Sequence, residues 1–276
     1  MKLFLKTKDY SVSNEEFDLL YDSELDMLVT QPQPENLFRY YESEAYISHT
    51  DAKTSVVDKL YQLVKGFNLR KKIQIAENQG TRNKKLLDFG AGTGDFLATA
   101  NQRGFEVYGV EPNKKARDRA KQKGIELSES LTDLHNRKYG VITLWHVLEH
   151  LPNLEGHLKE LKELLEEDGL LVVAVPNYKS FDAKHYKSHW AAYDAPRHLW
   201  HFSKTSISKL FERHQMEVIK THPMIFDSFY VSLLSEKYRG NKFYFFSAFL
   251  IGLWSNISAL FSKEYSSVIY LIKKRQ

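Results

Sequence analysis

The stretch Leu86-Leu87-Asp88-Phe89-Gly90-Ala91-Gly92-Thr93-Gly94-Asp95-Phe96, followed by Val107-Tyr108-Gly109-Val110-Glu111-Pro112, decides the fold. It reads as strand, glycine loop, helix and second strand, with an acid closing that strand. Alternating glycines let the backbone turn tightly and admit a ligand where a Cβ would clash. An acid at the end of the second strand can accept both hydroxyls of a ribose. The pattern predicts a nucleoside-containing ligand, with a glycine turn that binds nothing as the alternative.

Downstream of Lys85 the apolar pattern alternates between strand and helix. Strands are expected near 85–89, 106–110, 125–127, 139–144 and 170–175, with helices over 94–103, 113–123 and 153–167. That alternation predicts an α/β fold with right-handed crossovers and a mostly parallel sheet. Asp168-Gly169 reads as the turn into the fifth strand. Ser203 caps a helix to about His214, Met216–Lys220 reads as a sixth strand and Ser267–Lys273 as a seventh. Residues 1–38 read as a separate β-hairpin extension, with Phe17–Tyr21 and Asp26–Thr30 flanking a polar turn. Tyr40–His49 then leads into a helix from about Asp51 to Ala76.

The 276 residues include no cysteine, so a disulfide framework, a thiolate metal site and a cysteine nucleophile are excluded. A net charge of +4 without a long basic block does not indicate nucleic acid as partner. Lys2 and Lys6 interrupt the N-terminus too soon for a signal peptide, so a cytoplasmic location is expected.

Phe243–Ser262 has no charged residue and about the length of a bilayer span. A crossing there would put the sixth and seventh strands on opposite sides of a membrane, although they should pair. The expectation is therefore no transmembrane span but a helical cap over 227–262, inserted between those strands. Phe243, Phe246, Leu250, Leu253, Trp254, Ile257, Leu260 and Phe261 recur at helical spacing. Such a face could line an apolar acceptor pocket, form a homodimer contact or touch a membrane surface.

The glycine spacing narrows the ligand. A dinucleotide loop has its third glycine where Asp95 stands here, and the Lys-Ser/Thr of a phosphate-binding loop is absent. An acid at that helix start would also repel a pyrophosphate. S-adenosylmethionine carries a sulfonium and an ammonium against one carboxylate, and Asp88 suits its cationic amino-acid part. The pattern D-x-G-x-G-x-G with Glu111 resembles the first two motifs of class I S-adenosylmethionine-dependent methyltransferases.

Tyr139–Asn153, with Val147-Leu148-Glu149-His150-Leu151-Pro152-Asn153, resembles the fourth strand and following segment of the ubiquinone-biosynthesis-like group of these enzymes. Asp194-Ala195-Pro196-Arg197-His198-Leu199-Trp200-His201-Phe202-Ser203 resembles a loop found in a subset of them. The resemblance covers roughly residues 40–275. It implies a methyltransferase domain over 39–275, built on a Rossmann-like seven-stranded sheet of order 3-2-1-4-5-7-6 with strand 7 antiparallel and helices on both faces. It implies S-adenosylmethionine as cofactor, S-adenosylhomocysteine as product and a small-molecule methyl acceptor. By the same resemblance, Asp88, Gly90, Ala91, Gly92, Gly94 and Phe96 would surround the methionine part. Glu111 with Pro112 would hold the ribose, and the Glu129-Ser130-Leu131 turn would lie along the adenine. Trp145 and His146 would sit near the transferable methyl, and Tyr46 would close over the cofactor.

His146-Val147-Leu148-Glu149-His150 also matches the zinc-peptidase pattern H-x-x-E-H, but Pro152 opposes the long helix that such a site needs. Some ubiquinone O-methyltransferases are thought to hold a divalent ion through E-x-x-E-H here. In this chain His146 replaces the first acid, and no metal is expected. His150, His146 and His198 are the candidate catalytic residues: His150 could accept the acceptor's proton, because imidazole titrates near neutrality, and His146 is expected to point at the cofactor or acceptor pocket. Alternatively, Glu149 and His150 only brace the loop. The long segment after the fifth strand concentrates His189, Trp190, Tyr193, Asp194, Arg197 and His198. These are expected to wall the acceptor pocket, with a purely structural tie of loop to sheet as the alternative. A non-catalytic cofactor-binding scaffold is the rival from another functional class.

Overall fold

The computed structural model describes residues 1–41, 56–77, 83–134 and 137–275, with the side chains of 38 and 56–65 set aside. The elements in chain order are β1 (Lys2–Lys8), β2 (Glu16–Asp22), β3 (Met27–Gln31), α1 (Val56–Glu77), β4 (Lys85–Phe89), α2 (Asp95–Gln102), β5 (Glu106–Val110), α3 (Lys114–Gln122), β6 (Tyr139–Trp145), α4 (Leu154–Leu164), β7 (Leu165–Pro176), α5 (Phe181–Tyr186), β8 (Trp200–His201), α6 (Lys204–Arg213), β9 (Met216–Pro223), α7 (Asp227–Tyr238), α8 (Tyr244–Ser262) and β10 (Ser267–Lys274).

The central sheet has six strands in the order β5-β4-β6-β7-β10-β9. β5, β4, β6 and β7 run parallel, and β10 is antiparallel to both β7 and β9. Alternation along the strands divides the core into two layers. Leu86, Val141, Val172 and Leu271 face Ile73 and Ala76 of α1, Leu97 of α2 and Ala120 of α3. Leu87, Ile142, Val173 and Tyr270 face Leu158 and Leu161 of α4 and Leu210 and Phe211 of α6.

Three expectations are corrected. The strand expected at 125–127 is a single parallel bridge between Val110 and Ser128, so the sheet is one strand narrower than predicted. The chain has only a few residues there between the left-handed turn at Gly124 (φ +77°) and the 3₁₀ turn Leu131–Leu134, too few for a ladder. The helix expected over 153–167 ends at Leu164, and β7 begins directly at Leu165. Asp168-Gly169 lies inside β7, where the pairing with β6 shifts register.

The N-terminal segment is larger than a hairpin. β1, β2 and β3 form a meander that β8 extends to four antiparallel strands, with Leu28 opposite His201 and Val29 opposite Trp200. Leu25, Met27 and Val29 share the apolar layer of α4 and α6. The sheet is thus fastened to the main fold by packing.

Both expected cap helices are present as α7 and α8. The residues of α8 that turn inward are the small ones, Ala248, Gly252, Ser255 and Ala259. A Cβ on Gly252 would lie 2.9 Å from Phe229 Cα, so glycine sets how closely α8 approaches α7.

Candidate functional site

The site forms where β4, β5 and β6 end. Gly90, Gly92 and Gly94 all take positive φ (79°, 53° and 75°), which turns the chain from β4 into α2. The loop is fixed by Gly90 N–H and Ala91 N–H donating to Val110 O at 2.8 and 2.9 Å. A Cβ on Gly90 would come within 2.4 Å of Val147 Cγ2, whereas one on Gly92 meets none of the described residues within 4 Å. Gly90 is therefore required by packing, and among the described residues none fills the space at Gly92.

Glu111 follows β5 and turns back to this loop. One carboxylate oxygen accepts from Gly92 N–H at 2.9 Å and the other from Asn113 N–H at 2.9 Å. A carboxylate has about four acceptor positions, so both oxygens retain capacity for a diol. Arg117, which the sequence reading did not single out, donates to Glu111 O and Pro112 O at 2.7 Å and pairs with Glu129 at 2.7 Å. It joins the Glu111 turn to the Glu129-Ser130 turn. Leu131, by contrast, is buried in the main core and offers no surface to a ligand.

Asp88 is buried and accepts from Thr143 Oγ1 at 2.6 Å. Burial raises its pKa to about 7, against the opposing effects of Thr143 and the neighbouring Lys72. Lys72, on α1, was also missed. Its Nζ sits 4.3 Å from the Trp145 ring centroid, and burial pulls its pKa down despite Asp88 and Asp227. Trp145 packs edge-on against Phe96 at 5.5 Å, and its buried indole N–H has no acceptor among the described residues. Asp95 is paired with Lys123 at 2.7 Å, so the repulsion it would exert on a pyrophosphate is weaker than the sequence suggested. Tyr46 lies outside the described residues.

His146 ends β6 with φ +57°. Its Nδ1 lies 3.3 Å from Glu149 Oε1 and its Nε2 lies 3.1 Å from Asp227 Oδ2. Burial opposes its charge, but the two carboxylates prevail and raise its pKa to about 10. A charged imidazolium with both nitrogens engaged has no lone pair to take a proton. His146 ties the strand end to the cap, so its ring nitrogens are turned to Glu149 and Asp227 and it is not a proton acceptor.

His150 differs. Its Nδ1 lies 3.0 Å from the Arg197 carbonyl, which can only accept, and also 3.0 Å from Tyr41 Oη. The proton is thus on Nδ1 and the lone pair on Nε2. Burial, together with His198, lowers the His150 pKa to about 4, so it is neutral at physiological pH. His198 Nδ1 is held by the Ala192 carbonyl at 2.9 Å, and the two rings meet edge to face at 4.5 Å. Glu149 is buried and kept ionised in spite of burial, chiefly by the hydrogen bond from His146, and its Oε2 has no hydrogen-bond partner among the described residues. Ligand atoms of Glu149, His150 and His198 lie within 4.8 Å of one another, a spacing that can hold a proton or a divalent ion.

The expected pocket wall is mostly core. Trp190 and Tyr193 are each 2% exposed, and Trp190 Nε1 donates to buried Asp182 at 2.8 Å. Arg197 is buried and bonds Asp194 at 2.6 and 2.9 Å, Asp9 at 2.9 Å and the Tyr40 carbonyl at 3.1 Å. His189 stands against Tyr10 at 5.2 Å. Of that set, only His198 reaches the site. The others tie the loop to the N-terminal sheet and the cap.

A family model described as a methyltransferase domain matches residues 62–221, more than half of the chain. The chain belongs to this methyltransferase domain family. It is 30% identical over 112 residues to a ubiquinone biosynthesis O-methyltransferase of Actinobacillus pleuropneumoniae, covering 36% of this chain and 48% of that one. A C-methyltransferase of Streptomyces niveus is 26% identical over 151 residues, covering 50% of this chain and 34% of that one. The chain spans about half or less of the length of these curated relatives. Among solved structures, the magnesium protoporphyrin IX methyltransferase of Synechocystis PCC 6803 with bound SAH superimposes with a TM-score of 0.55 at 16% identity, covering 85% of this chain and 96% of that one. The cyclopropane synthase MmaA2 of Mycobacterium tuberculosis gives 0.51 at 12% identity, covering 74% and 84%. These likenesses establish a shared fold.

Proposed function

We propose that this protein transfers a methyl group from S-adenosylmethionine to an oxygen or nitrogen of a small-molecule acceptor. One observation carries the reading: the Glu111 carboxylate accepts from the Gly92 N–H, and no described atom lies within 4 Å of where a Gly92 Cβ would stand, so a diol acceptor sits beside room for a ligand. Family membership and the relatives' printed activities support it. The residues fit the cofactor. Glu111 would hold the ribose, Asp88 the ammonium and Lys72 the carboxylate, and the orphan Trp145 indole N–H is a further donor on that side. When bound, S-adenosylmethionine supplies an electrophilic methyl on a sulfonium.

The chain itself has two tasks, to orient the acceptor in line and to accept its proton. His150 is the residue placed for the second, through Nε2; burial and His198 make it a weak base, and ionised Glu149 opposes them by stabilising the imidazolium that results. His146 holds Asp227 and thereby the cap over the strand ends. We divide the chain into an N-terminal extension over 1–38 and a methyltransferase domain over 39–275 that includes the cap at 227–262.

The test is incubation with methyl-labelled S-adenosylmethionine and a panel of phenols, quinols and amines. Label in one acceptor class, abolished in His150→Ala with cofactor binding kept, supports the reading. Cofactor binding without turnover on the panel supports the scaffold instead.

A further inference from the structure

Helix α8 is built inside out. A helix on a globular surface normally turns its bulky apolar side chains inward and its small polar ones outward. Here Ala248, Gly252, Ser255 and Ala259 face the protein, while Phe246, Phe249, Trp254, Leu260 and Phe261 are 56–85% exposed. The inward face is fixed by polar contacts. Ser255 Oγ donates to buried Asp182 at 2.7 Å, and Asn256 Nδ2 donates to the Ile225 carbonyl at 2.9 Å. The outward orientation is therefore the packed one.

The exposed charges from Lys237 to Lys263 are all positive. Lys237, Arg239, Lys242 and Lys263 border the helix and are exposed, and no Asp or Glu occurs from Lys237 to Lys263. The adjacent acids are engaged, with Glu236 buried against Tyr186 and Asn241 and Glu264 bonded to Asn177. A second copy would bring this cationic border against itself in a two-fold contact. A crossing is also excluded, because β9 and β10, which flank the cap, are hydrogen-bonded neighbours in one sheet.

We propose that α8 lies in the plane of an anionic lipid bilayer. Its outward aromatic and aliphatic side chains enter the acyl region, and the four cations meet headgroup phosphates. Helices with an apolar face and a cationic border bind bilayers in this way. The inference stands apart from the chemistry of the site, since its readout is partitioning rather than turnover.

The test is flotation of the full chain with vesicles of phosphatidylcholine alone, or of phosphatidylcholine with phosphatidylglycerol. The parent is expected to float with the anionic vesicles and to partition roughly tenfold less onto neutral ones. The F246S/L260S/F261S variant should stay at the bottom while keeping the parent's melting temperature, and K237E/K242E should lose its preference for anionic vesicles. A parent that remains at the bottom with both vesicle types overturns the proposal, as does an F246S/L260S/F261S variant that floats like the parent. A parent dimer that this variant dissolves, with no vesicle binding by either protein, overturns it in favour of self-association.

Discussion

His146 Nε2 lies 3.1 Å from Asp227 Oδ2, which pins the end of β6 to the first turn of the cap helix α7. The contact is an ion pair because His146 is held charged, with a pKa of about 10. In Asp227→Ala only Glu149 remains to support that charge. The expected outcome is a fall in the His146 pKa, read from its ring-proton NMR titration, with about 1 kcal/mol of stability lost for a partly exposed pair. An unchanged titration would show that Asp227 does not hold the ring.

The two loop glycines should separate stability from binding. Gly90→Ala forces a Cβ into Val147 and should lower the melting temperature by several degrees. Gly92→Ala meets no atom of the described residues and should cost only the left-handed backbone penalty of about 1 kcal/mol. Its main effect is expected on cofactor affinity, measured by titration calorimetry beside thermal melts of both variants.

Asp88 gives a pH dependence of binding. Its pKa is near 7 before a ligand arrives, and an ammonium group prefers the ionised carboxylate. Affinity should therefore rise with pH through about 7 and level off above it, with proton release on binding near neutrality. Calorimetry in buffers of different ionisation enthalpy measures that release. Asp88→Asn should remove it, and retained release would assign the proton elsewhere.

Arg197 and Asp9 predict the acid limb of stability. Burial opposes the Asp9 charge, but hydrogen bonds from Arg197, Ser13 and Ser11 prevail and lower its pKa to about 2. A depressed folded-state pKa gives stability that is present above about pH 4 and lost as pH falls toward 2. Arg197→Ala strands a buried carboxylate and should cost about 3–5 kcal/mol by chemical denaturation. A variant as stable as the parent would return Arg197 to the pocket role.

The glycine loop, the acid after β5 and the alternation of strands and helices were legible because each has a local signature in residue type and spacing. The rest depended on partners far apart in sequence. β8 is two residues long and carries no periodicity, so its pairing with β3 could not be read. Trp190, Tyr193, Asp194 and Arg197 are the types that build ligand pockets, and equally the types that satisfy one another when buried. Only Asp182 at the indole and Asp9 at the guanidinium show which applies. His146 and His150 stand four residues apart, yet two carboxylates keep one charged while burial keeps the other neutral. The spacing of α8 marked its apolar face correctly, but not that this face points outward.

The measurement closest to the central claim is calorimetric titration of the full chain with S-adenosylmethionine, repeated on Glu111→Ala. The account predicts saturable binding at one site per chain. It also predicts a loss of roughly 10- to 100-fold in the variant, since hydrogen bonds to charged groups contribute about 1.5–3 kcal/mol. Absence of binding to the parent, or equal affinity in the variant, would contradict it.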